Sequence, residues 1–344
     1  RRLGLPKYPF ARESYWVADA AVHEREGAPR LHPFIDRNES DFASYRFTTR
    51  YTPDDACVKD HVVNGLRLLP GAVFLEAARA AGELTSRRRI SALRDVVWVS
   101  PLVVHEALEV SLTLRPAGGN AASCELRRGR ADEGTLLAEG RLQLGDDLVE
   151  AKSPPIDVAA ARARQPKRIT HAECYERFES LGLSYGANFR LVREVCYGRE
   201  EAVAELDGAP DTWRAEGLLL HPSVLDAGLQ VAIWLVVDDL VPGRMSLPLG
   251  VKAVRIHGPL SQARYVYVSA VESRATLRVF RIAFLDRAGA SVVELDEFAI
   301  KDPSNDRSPT RKGIVRGEGS SRSMPAEAAP SPPRSAASHS LAQR

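Results

Sequence analysis

From about Leu31 onward, apolar and polar positions alternate at a period of two. The segments SYRFTTRYT at 44–52, ISALRDVVWVSPLVV at 90–104, ALEVSLTLRP at 107–116 and LLAEGRLQLG at 136–145 combine this alternation with β-branched and aromatic residues and Gly/Asp turns. They predict antiparallel strands. One stretch breaks the period, from Pro70 to about Gly82, where Val73, Ala77, Ala80 and Ala81 recur near helical spacing and are small enough to lie in a curved sheet. Proline suits a first helical turn because its absent N–H would have found no partner there.

Residues 151–168, AKSPPIDVAAARARQPKR, hold three prolines and no aromatic residue and predict a linker. A similar order then returns. A helical HAECYERFESLG leads to YGANFRLVREVCYG and EAVAELDG, a second helix opens at Pro222, and SLPLGVKAVRIHG, ARYVYVSAVES, TLRVFRIAFLD and VVELDEFAIKD alternate as strands. The expected fold is α+β, a long antiparallel sheet wrapped around one buried helix, twice over, with halves at 30–150 and 169–302. The residues before 30 carry Tyr8, Phe10, Tyr15 and Trp16, which suits a packed arm, and the Ser/Pro/Ala/Gly/Arg-rich residues 303–344 suit a flexible tether.

Composition narrows the function classes. No run of about 18 apolar residues spans a bilayer and no secretion signal opens the chain, so a soluble, cytoplasmic protein is expected. Net charge is +2, and the tail from Asn305 carries seven basic residues against three acidic ones, leaving the body near neutral with no electrostatic case for nucleic acid. Cys57, Cys124, Cys174 and Cys196 form no CxxC pair and suggest buried thiols rather than a metal site or disulfides.

Two stretches carry chemistry. HVVNGLRLLPG, from His61 to Gly71, sets an imidazole ahead of a glycine turn and the mouth of a helix, while LLHPSVLDAGLQ opens the second helix with Asp226 and Gln230 four residues apart on one face. A neutral imidazole takes a proton at neutral pH, and a carboxyl can give one if burial keeps it protonated. Unpaired N–H groups at the Pro70 helix, from Gly71 or from Gly65 in the preceding turn, offer donors for an enolate-like oxygen. Base, acid and oxyanion donors together suit β-elimination of water. Taken singly, a histidine before a turn is more often structural, and an aspartate near a helix start is most often a cap.

HVVNGLRLLP resembles the HxxxGxxxxP motif of polyketide synthase dehydratase domains, with His61, Gly65 and Pro70 in place, and HPSVLDAGLQ resembles their HPxxLDxxxQ motif through His221, Pro222, Leu225, Asp226 and Gln230. YGANF at 185–189 resembles YGPxF, and SLPLGVKAVRIHG resembles an LPxxxxxVRI strand. The resemblance implies a double hot dog and a β-hydroxyacyl thioester carried on the phosphopantetheine arm of an acyl carrier protein. It casts His61 as the base and Asp226 as the acid, oriented by Gln230 and Tyr185, with Gly186 shaping the tunnel and His221 in a structural role ahead of the helix. No metal or redox cofactor is implied. Ketosynthase and ketoreductase-type neighbours in one polypeptide, and a homodimer, follow from the same likeness. LPKYPFARESYW resembles the linker after ketosynthase or acyltransferase units, and HPFIDRNES with the VNGxxxLPG run resembles modules served by a separate acyltransferase.

Two positions depart from the pattern. Ala187 replaces the proline of YGPxF, leaving that loop less rigid, and Gly228 lies inside the second helix, where it either makes room beside Asp226 or serves close packing. His32, His105, His171, His257 and His339 have no motif partner and read as surface or packing residues. Same-fold alternatives are a pyran synthase or a double-bond-shifting isomerase. A thioesterase and a non-catalytic domain that only docks a carrier protein complete the field.

Overall fold

The computed structural model describes residues 30–131, 133–145, 153–213, 218–240, 242–243, 247–274 and 277–301, so the N-terminal arm and the C-terminal tether lie outside the described residues. The first half runs β1 (Arg37–Asn38), β2 (Tyr45–Tyr51), α1 (Ala56–Lys59), β3 (His61–Val63), β4 (Leu66–Arg67), α2 (Gly71–Ser86), β5 (Ile90–Trp98), β6 (Leu108–Pro116), β7 (Ala121–Arg128) and β8 (Thr135–Leu144). The second runs α3 (Val158–Ala163), β9 (Lys167–Thr170), α4 (His171–Ser180), β10 (Leu183–Tyr185), β11 (Val192–Tyr197), β12 (Glu201–Leu206), α5 (Pro222–Ile233), β13 (Pro248–Ile256), β14 (Tyr265–Arg274), β15 (Leu277–Leu285) and β16 (Ser291–Lys301).

Thirteen strands form one antiparallel sheet in the order β1-β2-β6-β7-β8-β5-β13-β16-β15-β14-β12-β11-β9. The two expected sheets therefore run into one another, joined where Leu93 of β5 pairs with Val254 of β13. A small second sheet, β10-β3-β4, draws strands from both halves. Its register sets Tyr185 opposite His61.

Each half wraps its own helix. The α2 helix packs on β5, β6, β7 and β8, and α5 packs on β11, β12, β14 and β15, with the two helices also touching each other. Every residue of α2 from Ala72 to Gly82 is buried. Its alanines bring the backbone close to the sheet, while Phe74 and Leu75 fill the space on either side, each worth about 1.5–3 kcal/mol of apolar burial.

The sequence places the end of this helix near Gly82, but α2 continues to Ser86 and closes at Arg87, a left-handed residue with φ 56°. Gly82 is a packing residue instead, since a Cβ there would stand 2.8 Å from Leu142 and 2.9 Å from Ile90. Gly228 does the same work in α5. A Cβ would meet the Phe284 ring at 2.3 Å, so no room opens beside Asp226 and close helix-to-sheet contact accounts for the glycine.

The segment 151–168 is also more structured than a linker. Asp157 caps α3 by accepting from the Ala160 amide at 3.0 Å, and β9 starts at Lys167 and pairs with β11 as the last strand of the sheet. All four cysteines are buried free thiols. No helix among the described residues is long and apolar enough to cross a membrane.

Candidate active site

His61 is aimed by a hairpin. Asn64 and Gly65, with φ 49° and 77°, make the tight turn between β3 and β4, a conformation that glycine and asparagine tolerate and other residues rarely adopt. Gly65 lies exposed at the hairpin tip, with no heavy atom within 4 Å of where a Cβ would stand, so its positive φ and not a close approach accounts for the glycine. Downstream of the turn the chain returns to His61: the Leu68 amide donates to the His61 carbonyl and His61 Nδ1 lies 3.1 Å from the Leu68 carbonyl oxygen. A carbonyl only accepts, so the proton sits on Nδ1 and Nε2 keeps its lone pair. That free nitrogen faces the Asp226 carboxyl, 3.8 Å from Oδ1.

Asp226 comes from α5. His221 is the N-cap, Pro222 occupies the first helical position, and Asp226 stands beyond the first turn, so it is not a cap. Asp226 is 5% exposed. Burial pushes its carboxyl above the usual range, and His61 together with the Gln230 hydrogen bond pulls back less strongly, so the group is held toward its protonated form. Gln230 Nε2 donates to Asp226 Oδ2 at 2.9 Å and to the Phe189 carbonyl at 3.0 Å.

The sequence assigns part of the acid's orientation to Tyr185, but the tyrosine bound to Gln230 is Tyr175 on α4. Its hydroxyl lies 3.1 Å from Gln230 Oε1 and 3.2 Å from the Phe189 carbonyl, and accepts from the Val192 amide at 3.1 Å. Tyr185 presents its ring edge to His61 at 5.7 Å, and its phenol is pushed far up by burial and by the nearby Asp226. The Phe189 ring also packs on the imidazole, tilted, with centroids 5.6 Å apart. The pair thus sits among aromatic rings in a region where charge separation is costly and proton transfer between positioned groups is favoured.

The remaining expected residues sort by position. Pro70 is the N-cap of α2 rather than its first helical residue, and its carbonyl accepts from the Val73 amide at 3.0 Å. Gly71 begins the helix, where N–H groups have no acceptor one turn back and remain available as oxyanion donors. The Trp98 indole donates to the Gly71 carbonyl at 3.3 Å, and a Cβ on Gly71 would come within 2.6 Å of that indole nitrogen. Gly186 lies against Asp60, whose carboxyl a Cβ would meet at 2.2 Å.

His221 is buried against Trp213 and lowered to about 4 by burial, so it stays neutral. Two histidines assigned to packing contact buried carboxylates, His32 with Glu76 at 3.2 Å and His257 with Glu294 at 3.4 Å. His171 lies 2.8 Å from the Val192 carbonyl, His105 is exposed, and His339 falls outside the described residues. No cluster of metal-ligating side chains occurs among the described residues.

Comparisons with known proteins identify the family. Residues 32–128 match the family model for the polyketide synthase dehydratase domain, and residues 153–309 match that for the polyketide synthase dehydratase N-terminal domain. The polyketide synthase PksM of Bacillus subtilis is 28% identical over 313 residues, covering 86% of this chain but 7% of that protein. ThaG of Burkholderia thailandensis is 35% identical over 255 residues, 67% of this chain and 4% of that polyketide synthase. The chain thus spans a small part of the curated relatives it matches. The crystal structure of a trans-AT polyketide synthase dehydratase domain from Brevibacillus brevis superimposes with a TM-score of 0.72 at 27% identity, covering 79% of this chain and 99% of that one. The fold is the double hot dog of such domains. With both family models matched in order and the architecture shared, the chain belongs to the polyketide synthase dehydratase domains.

Proposed function

We propose that this domain removes water from a β-hydroxyacyl thioester to give the α,β-unsaturated thioester. The observation that carries the reading is the facing pair, His61 with its basic Nε2 toward a buried Asp226 carboxyl 3.8 Å away. That spacing exceeds a hydrogen bond and leaves the two groups free to address neighbouring carbons of one substrate. His61 Nε2 takes the α-proton as the electron pair of that C–H bond becomes the C=C bond. Asp226 gives its proton to the β-oxygen as the C–O bond breaks, and water leaves. The first N–H groups of α2 stabilise the thioester oxygen during the step. Afterwards the imidazolium and carboxylate face each other, and one proton passing from His61 to Asp226, directly or through the released water, restores the starting state.

Each proton has a protein donor or acceptor, so the step calls on no metal or redox cofactor. Relatives are large polyketide synthases, which suits delivery of the acyl chain on the phosphopantetheine arm of an acyl carrier protein, with ketosynthase and ketoreductase-type neighbours in the same polypeptide. The test is to incubate the domain, His61→Phe and Asp226→Asn with a carrier-bound 3-hydroxyacyl thioester and follow product mass. Loss of one water with the wild-type chain, reduced about 10²–10⁴-fold in either variant, is expected. A wild-type chain that leaves the thioester intact, or an Asp226→Asn variant of undiminished rate, overturns the reading. Chromatographic retention of the dehydrated product separates the open enoyl chain from a pyran of equal mass.

A further inference from the structure

Two carboxylates outside the His61–Asp226 pair reach from the first half to main-chain N–H groups of the second. Glu76 on α2 is fully buried, accepting from the Leu219 amide at 3.3 Å and the Leu220 amide at 2.8 Å, the residues that lead into α5. Arg79 holds the same carboxylate through two hydrogen bonds, at 2.8 Å and 2.7 Å, and also pairs with Glu83 at 2.9 Å. Asp60, next to His61, accepts at its backbone carbonyl from the Gly186 amide at 2.9 Å. Its Oδ2 accepts from the Asn188 amide at 3.3 Å and the Asn188 side chain at 2.5 Å. Asn188 in turn accepts from the Thr212 hydroxyl.

The two grips adjoin the two members of the facing pair, Asp60 preceding His61 in the chain and Leu219 and Leu220 leading into α5. One ties the loop whose Tyr185 and Phe189 enclose His61, and the other ties the approach to the helix bearing Asp226. A buried ion pair is weak as a source of stability, because its desolvation offsets most of its attraction and apolar isosteres often serve as well. Its fixed directionality is what an apolar contact lacks. Glu76 Oε1 and Oε2 meet the Leu219 and Leu220 amides respectively, so the carboxylate specifies where the chain enters α5.

We propose that Asp60 and Glu76 are positioning residues that set the separation of His61 and Asp226 across the seam between the halves. The proposal rests on the dehydration reading for its consequence in turnover, and on geometry alone for the spacing itself. A misplacement of 1 Å costs reactions of this kind about 10²-fold, so slack in either grip lowers kcat while substrate binding persists.

The test compares Glu76→Gln/Arg79→Met with Glu76→Leu/Arg79→Met. Both remove the buried charges, and only the first keeps a side-chain oxygen, which can accept from one of the two amides, Leu220 being the closer at 2.8 Å. The expected result is a kcat at least about tenfold lower in the leucine double variant than in the glutamine one, with KM within about twofold. Equal kcat values overturn the proposal. Should either double variant fail to fold, Asp60→Ala against Asp60→Asn makes the same comparison, since asparagine keeps an acceptor for Asn188. A wild-type chain that releases no water defeats the dehydration reading instead. The grips are then judged on crystals of the paired variants: a longer His61–Asp226 separation in the leucine or alanine variant sustains them, and an unchanged one overturns them.

Discussion

Replacing Tyr175 by phenylalanine removes one oxygen and keeps the ring, which packs against Phe178, Tyr185 and His171. That oxygen accepts from the Val192 amide, which lies in a fully buried residue, and it contacts Gln230 Oε1 at 3.1 Å. Leaving a buried N–H without an acceptor costs about 1–3 kcal/mol, and losing the contact to Gln230 adds about 0.5–1.5 kcal/mol. The expected destabilisation is therefore about 1.5–4.5 kcal/mol, read as a shift of the urea midpoint at unchanged slope. Gln230 keeps its bonds to Asp226 and to the Phe189 carbonyl but loses the contact on its other side. The acid then samples more positions, and kcat falls about tenfold with KM unchanged, a transition-state loss of about 1.4 kcal/mol. Turnover is measured well below the melting temperature, so lost stability alone leaves kcat untouched. A Tyr175→Phe variant that melts early yet turns over at the wild-type rate refutes the orienting role of Tyr175.

Three further outcomes are expected. Gly228→Ala drives a methyl into the Phe284 ring and destabilises by about 1–3 kcal/mol, visible as a melting temperature lower by several degrees. Gln230→Met removes a hydrogen bond that favours the Asp226 carboxylate, so the carboxyl moves further up. Because the acid works protonated, the alkaline limb of the kcat–pH profile moves to higher pH while the plateau falls. Acid stability has two windows. Burial lowers His221 to about 4, so the folded chain leaves it neutral while the unfolded chain protonates it near 6.5, and roughly 3 kcal/mol is lost as pH falls between the two. Glu294 is pushed up by burial, but hydrogen bonding and charge from His257 outweigh this and hold it at about 2, so its contribution is present above about 4.3 and lost as pH falls toward 2. Urea titrations across pH check both windows, and His221→Asn flattens the upper one alone.

Period-two alternation marks most of the long strands because one face of each is buried and the other solvated. It misses β7, where Cys124 and Leu126 are the buried residues in an otherwise polar run, and it misses β3 and β4, which are too short to show a period. The motifs single out His61, Asp226 and Gln230 because each depends on local spacing. Tyr175, Asp60 and Glu76 were not legible, since their partners lie 55, 128 and 144 residues away in the chain and nothing local distinguishes them from ordinary helix or turn residues. Glu76 least of all looks like a core residue, its burial being made possible by Arg79 one turn on.

The seam at β5 has a consequence for biosynthesis. Until β13 leaves the ribosome, the nascent first half presents β5 as a bare strand edge carrying Leu93 and Val96, a template for pairing with other chains. Two of the strands that pack α5, β14 and β15, follow β13 in the chain, so the edge is covered before the surroundings of Asp226 are complete. A truncation that stops short of β13 is therefore expected to be sticky as well as inert, and a ribosome pause placed between α5 and β13 prolongs that hazard.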